Sequence, residues 1–238
     1  MYVVGDIHGR ADLLDELFSL IDADLVRHKS ARAVHVFLGD YIDRGEFSRG
    51  TIDRLIQRGS THECVFLKGN HELIALGCLT DKASIPTWIR LGGVQTLLSY
   101  GVRPSLRLTP SELGAIQIGF QNALPRAHLQ FLARLQVQFS VGDYFFAHAG
   151  VKPGVPLSKQ KEKDLLWIRD EFLSSTRSYG KIVVHGHTPT IEVEFRTNRI
   201  NIDTGAYLTN RLTCLVLENN QILLIQTGNS EFVRSTPQ

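Results

Sequence analysis

The stretch FLGDYIDRG, residues 37–45, makes an unusual demand: two large apolar side chains run straight into a segment carrying Gly39, Asp40, Asp43, Arg44 and Gly45. Apolar residues of this kind belong at the end of a buried strand. Placing two carboxylates and a guanidinium directly after them is costly unless each charge meets a partner. The same junction recurs along the chain. GDIHG (5–9), GNHE (69–72), HAG (148–150) and HGHT (185–188) also follow short apolar runs, so five polar, glycine-bearing clusters sit just past five predicted strands. In open α/β sheets, ligands gather outside the carboxyl ends of the strands, and five such loops are expected to converge there.

Outward from that stretch, the first part reads as strand, loop, helix units. Strands are predicted over 2–4, 33–38 and 64–67, with helices over 11–27 and about 48–58, the second N-capped by Ser48. Leu13, Leu14, Leu17, Phe18 and Ile21 fall at helical spacing. Residues 73–135 turn mostly helical and show no evident chemistry, with helix starts expected at Ser111 and Pro125. Strands over 137–141 and 144–147 form a hairpin at Gly142-Asp143, and a short helix follows over 164–173. The last part is strand after strand: 182–185, 191–195, 199–202, 212–217 and 222–225, the final pair joined at Asn219-Asn220. A βαβ-rich first half, a β-rich second half and no Pro/Ser/Gly linker predict an α/β fold, one domain over 1–238, with two packed sheets clad in helices.

Composition narrows the function classes. Three widely spaced cysteines among 238 residues suit a reducing compartment, and argue against both a disulfide framework and a Cys-rich zinc site. They read as small buried hydrophobes. A net charge of +2 with no dense Lys/Arg run gives no footprint for nucleic acid, whose capture depends on clustered basic groups. No apolar run approaches membrane-span length, and the charged GDIHGR begins at residue 5, where a signal peptide needs its apolar region. The expectation is a cytoplasmic protein without a membrane partner.

The residue types in the five loops point to metal. Asp6, His8, Asp40, Asn70, His148 and His187 offer carboxylate oxygen, amide oxygen and imidazole nitrogen, a mixture suited to Mn²⁺, Fe or Zn²⁺ rather than to soft copper. Six ligands exceed what one ion needs if substrate is to bind as well. Two ions about 3.5–4 Å apart, bridged by one carboxylate, use them well. Any single loop could be a capped turn, but five separate structural explanations are then required.

Together GDIHG, GDYIDRG, GNHE, HAG and GHT resemble the phosphoprotein phosphatase branch of the calcineurin-like metallophosphoesterases, above all its small bacterial and phage serine/threonine phosphatases. The resemblance spans residues 2–217 and is weakest over 73–135. It implies a two-sheet α/β/β/α sandwich and two divalent ions, Mn²⁺ first among them. It also implies that Asp6 and His8 bind the first ion, Asp40 bridges, and Asn70, His148 and His187 hold the second. His71 then resembles the family's general acid, Asp43 its orienting carboxylate, and Arg44 its phosphate clamp. Arg169, in LLWIRD, is a weaker match to a second clamp. The chemistry is coherent: paired cations lower the pKa of a shared water, an arginine fork grips two phosphate oxygens, and a protonated imidazole serves a poor leaving group.

The implied activity is hydrolysis of phosphoserine and phosphothreonine, and of phosphotyrosine as an extension, in a protein or peptide. No regulatory subunit is inferred. Glu46 departs from the family, which commonly has proline there, and NIDTGAYLTNRL (201–212) replaces the eukaryotic C-terminal loop. The nearest rival is a symmetrical dinucleoside tetraphosphate hydrolase, whose branch usually lacks the aspartate before the arginine. A nucleic-acid phosphodiesterase lacks its basic stripe here, and a non-catalytic scaffold would be expected to have lost ligands. His185 reads as a packed strand histidine, and His28, His35, His62 and His128 fall outside every motif. Trp88 and Trp167 read as core or groove residues.

Overall fold

The structure, a computed structural model, describes residues 1–28, 32–105, 107–218 and 221–228, and the backbone of 233–235. The chain runs β1 (Tyr2–Val4), α1 (Ala11–Arg27), β2 (Val34–Phe37), α2 (Ser48–Thr61), β3 (Glu63–Phe66) and α3 (Asn70–Cys78). A helical stretch follows as α4 (Ile85–Trp88), a kinked turn over Ile89–Gly93, α5 (Val94–Ser99), α6 (Pro110–Ala123) and α7 (Arg126–Ala133). Then come β4 (Gln138–Val141), β5 (Tyr144–Ala147), α8 (Glu162–Trp167), α9 (Asp170–Leu173) and β6 (Ile182–His185). The chain continues through β7 (Glu194–Phe195), β8 (Arg199–Asn201), α10 (Ala206–Thr209), β9 (Thr213–Glu218), β10 (Gln221–Gln226) and β11 (Val233–Ser235).

The described strands form two mixed sheets, ordered β11-β10-β9-β1-β2-β3 and β4-β5-β6-β8-β7. Strand alternation explains how they pack, because successive side chains point to opposite faces. Val3, Val36, Leu38 and Leu215 of the first sheet meet Phe146, Val184, Ile200 and Ile202 from the second sheet and its flank, forming the layer between the sheets. Tyr2, Val4 and Phe37, one position out of phase, face Leu14, Leu17 and Ile21 of α1 and Ile52 and Leu55 of α2. On the far side, Phe145 and Val183 pack under Leu165 of α8 and Phe172 of α9. The α/β/β/α sandwich is therefore the observed architecture.

This topology places the polar loops. β1, β2 and β3 are mutually parallel, as are β5 and β6, so the loops that leave their carboxyl ends emerge at one rim. Backbone bonds lock the loops to one another: the Ile7 and His8 N–H groups donate to the Asp40 carbonyl at 3.1 and 2.8 Å, and the Gly186 N–H donates to the His148 carbonyl at 2.8 Å.

Several boundaries differ from the sequence reading. Phe47, not Ser48, precedes α2, because the Ser48 hydroxyl is taken by the Asp43 N–H at 3.0 Å. α6 begins at Pro110 with Thr109 as its cap, one residue before the expected Ser111. The helix expected over 164–173 is two short helices broken at Ile168 and Arg169, where Arg169 takes a non-helical φ of −132° and ψ of −104°. The strand expected over 191–195 shortens to Glu194–Phe195. The Asn219-Asn220 turn lies outside the described residues. Among the described residues no helix is long and apolar enough to cross a membrane.

Candidate active site

The six proposed ligands come together at the strand-end rim, and all are buried: Asp6, His8, Asp40, Asn70, His148 and His187. Asp40 lies at the centre. Its Oδ2 is 3.4 Å from His8 Nε2, and its Oδ1 is 3.4 Å from His148 Nε2. On the second side, Asn70 Oδ1 stands 3.0 Å from His148 Nε2 and 2.9 Å from His187 Nδ1, and the two imidazole nitrogens are 3.1 Å apart. Two trios of ligand atoms, His8/Asp40/His71 and Asp40/His148/His187, each fall within 4.8 Å and share Asp40.

Tautomers show what this cluster lacks. The Nδ1 atoms of His8 and His148 bond to the Ile42 and Leu38 carbonyls at 2.9 and 3.0 Å, and a carbonyl only accepts. Those nitrogens therefore carry the protons, and the Nε2 lone pairs are turned inward. Lone pairs of two histidines, two carboxylates and an amide thus face one another across a buried space. Asp6 Oδ1 is buried there without a hydrogen-bond partner, its Oδ2 being engaged by the His187 N–H at 3.0 Å. Glycines make the cradle. A Cβ on Gly69 would lie 2.0 Å from Asp40 Oδ1, and one on Gly186 would lie 2.1 Å from Asp6 Oδ1. This donor set fits divalent cations, which would bind the lone pairs that otherwise repel.

The electrostatics agree. Burial holds His8 down at about 3 and lowers His148 and His187 as well, so these imidazoles stay neutral, the form that ligates metal. Burial, reinforced by the charges of Asp203 and Asp40, pushes the Asp6 carboxyl well above the usual carboxylate range. A carboxylate so unfavourably placed is one arranged for positive charge nearby.

His71 and Asp43 form a second layer. His71 Nδ1 lies 2.6 Å from Asp43 Oδ2, and its Nε2 faces Asp40 Oδ2 at 3.7 Å and Arg44 Nη2 at 3.3 Å. Burial opposes the imidazolium, but the charge of Asp40 and the hydrogen bond to Asp43 prevail and hold His71 above its ordinary value. The Arg44 guanidinium lies 4.5 Å over the Tyr207 ring, which is also edge-on to His8. Arg169 stands at the exposed rim, with Nη1 3.4 Å from Thr188 Oγ1, and is not drawn into the buried cluster. Glu46 is exposed to solvent, which screens its charge.

The backbone is also unusual here. Among the described residues, six non-glycine positions have left-handed φ, and five of them are His8, Asp40, Asp43, Arg44 and His187. Such conformations are uncommon and cluster at functional sites.

Five contributors escaped the sequence reading. The Glu72 carboxylate accepts from the N–H groups of Gly69 and Asp40 at 2.9 Å and of Tyr41 at 2.8 Å, fastening the Asp40 loop to the first turn of α3. Tyr207 supports Arg44, and its turn is held by Arg10, whose Nη1 donates to the Ala206 carbonyl at 3.0 Å. Trp88 and Thr96 reach Asp43 from the helical region that read as chemically silent. The GNHE motif offered a signal for Glu72; the other four carried none.

Comparison with known proteins extends this picture. The calcineurin-like phosphoesterase profile matches residues 1–225. The asymmetrical bis(5'-nucleosyl)-tetraphosphatase PrpE of Anoxybacillus flavithermus is 27% identical over 236 residues, covering 90% of this chain and 88% of that one. The serine/threonine-protein phosphatase SIT4 of Candida albicans is 34% identical over 96 residues, covering 36% of this chain and 30% of its own. A crystal structure of a candidate diadenosine tetraphosphatase superposes with a TM-score of 0.61 at 20% identity, covering 96% of this chain and 94% of that one.

Proposed function

This chain belongs to the calcineurin-like phosphoesterase family, a family of metal-dependent hydrolases, and we infer that it is a phosphomonoesterase acting on phosphoserine and phosphothreonine, with phosphotyrosine as a further substrate. The observation that carries this reading is the 2.6 Å contact between His71 and Asp43, next to the ligand cradle and to Arg44. A serine or threonine alkoxide is a poor leaving group and needs a proton as it departs. A nucleotide leaving through a phosphate oxygen needs one far less.

Asp6 and His8 would hold one divalent ion, Asn70, His148 and His187 the other, and Asp40 both, with Mn²⁺ the first choice and Fe or Zn²⁺ compatible with the same donors. Bound there, such ions supply Lewis acidity, polarising phosphoryl oxygens and acidifying a water. The chain's own groups do the rest. Arg44, stacked on Tyr207, grips phosphate oxygens with a planar fork and fixes the direction of attack. His71 donates a proton from Nε2 to the leaving oxygen, while Asp43 holds Nδ1 and the orientation of the ring. Arg169 serves as an outer contact at the rim.

A second reading is dinucleoside tetraphosphate hydrolysis. It is favoured by relatives of that name that match nearly the whole chain, and those relatives are named asymmetrical rather than symmetrical hydrolases. One assay separates the readings: Mn²⁺-supplemented kcat/KM for phosphoserine, phosphothreonine and phosphotyrosine peptides, diadenosine tetraphosphate and a phosphodiester. A higher value for diadenosine tetraphosphate than for every peptide would replace the first reading by the second.

A further inference from the structure

Asp43 is more completely held than an orienting carboxylate requires, and apart from His71 the donors to its carboxylate come from one kinked segment. The Trp88 indole N–H donates to Asp43 Oδ1 and Oδ2 at 3.0 and 2.9 Å, and the Thr96 hydroxyl donates to Oδ1 at 2.6 Å. The Asp43 backbone N–H in turn donates to Thr96 Oγ1 at 2.9 Å. All these groups are buried, so the carboxylate has no water to compete for it and Oδ2 is left to face His71 Nδ1.

The arrangement depends on a break in the helix. In an unbroken α-helix, residues eight apart are turned about 80° from one another, so Trp88 and Thr96 would not both point at one carboxylate. Between them the helix breaks at Gly92, whose φ of 107° and ψ of 10° are not helical. The same glycine receives the Arg44 N–H on its carbonyl at 3.1 Å, and a Cβ there would lie 2.8 Å from Arg44 Cγ. One segment therefore sets the backbone of the phosphate-gripping arginine and both oxygens of the carboxylate that orients the acid.

We propose that Trp88 and Thr96 are positioning residues for proton donation to the leaving group, acting through Asp43 on His71. The proposal rests on the phosphomonoesterase reading. Its consequence is selective: removing either donor slows only those substrates whose leaving group needs a proton. Asp43 would lose a fixed N–H or O–H, the His71 ring would gain freedom, and attack at phosphorus would be untouched.

The test is steady-state turnover of Mn²⁺-supplemented Trp88→Phe, Thr96→Val and Thr96→Ser proteins on phenyl phosphate and on 2,4-dinitrophenyl phosphate, whose leaving group departs unprotonated. Proton donation typically contributes 10²–10⁴-fold, so disturbing it partly should cost Trp88→Phe and Thr96→Val about 10–100-fold in kcat on phenyl phosphate. Both variants should stay within about twofold of the native protein on the dinitro ester. Thr96→Ser, which keeps the hydroxyl, should recover phenyl phosphate turnover. In an Asp43→Asn background, Trp88→Phe should add no further loss. Equal losses on both esters, or none on either, would overturn the positioning role while leaving the phosphomonoesterase reading intact. A native protein inactive on both esters and on phosphopeptides would remove both.

Discussion

The five ligand loops and the kinked segment 85–99 build one site from opposite materials. The loops bring lone pairs, on Asp6, His8, Asp40, Asn70, His148 and His187, to a point where they face one another. The segment brings hydrogens, on Trp88 Nε1 and Thr96 Oγ1, to a carboxylate one layer further out. The first arrangement is incomplete by itself and calls for cations. The second is already satisfied within the protein, and fixes a direction rather than binding anything. The lesson is that attracting a cation and aiming a proton are separable tasks, and mutation should separate them.

The strongest test of that division is Asp40→Asn, which removes the charge shared by both trios. Binding of both ions should fail, with kcat reduced at least ~10³-fold, because such cations supply several kcal/mol. Elemental analysis beside turnover checks this, and two retained ions would dissolve the distinction at its centre. Next comes His71→Asn, expected to lower kcat about 10²–10⁴-fold with both ions still bound. His71 is the residue on which the comparison is sharpest, since its Nε2 also completes a trio with His8 and Asp40. Loss of an ion in this variant would move His71 from the aiming group to the ligand group.

Smaller effects lie further out. Gly92→Ala places a Cβ against Arg44 in a left-handed conformation, and should raise KM for phosphomonoesters about tenfold, equivalent to ~1.4 kcal/mol, while the ions stay bound. An unchanged KM would uncouple the segment from Arg44. An effect on stability rather than turnover concerns His35, remote from both groups, which burial holds neutral with its pKa lowered to about 3. The unfolded chain takes up this proton below about pH 6.5 and the folded one does not. The contribution of His35 to stability is thus full above that pH and declines as pH falls toward 3, by at most ~1.4 kcal/mol per pH unit. Urea unfolding at pH 7 and 5 should show the decline, and His35→Phe should make it shallower.

The sequence was most readable where chemistry and conformation both left marks. Each proposed ligand follows an apolar strand and keeps company with glycine, so the strand ends and the rim were legible in five short motifs, and the two sheets in the strand pattern around them. Trp88 and Thr96 left no such mark. An indole and a threonine in a helical region are ordinary core residues, and their partner Asp43 lies 45 and 53 positions away along the chain. Only the break at Gly92 brings them to it. Arg169 shows a related limit: its motif read as continuous helix, yet the helix breaks at that residue and leaves it at the exposed rim. Helix boundaries near Ser48 were misplaced for a local reason, since its hydroxyl serves the Asp43 backbone instead of the helix end.

The left-handed backbone at His8, Asp40 and His187 narrows what drift can reach. Aspartate, asparagine and histidine are the non-glycine residues that tolerate this conformation best, and they are also the ones that offer a short oxygen or nitrogen donor. A glutamate or a β-branched residue at position 40 would meet an objection from the chain before any ion could register its effect. Relatives that exchange ligands at these three places should therefore draw on the same short alphabet, whatever metal they have come to prefer.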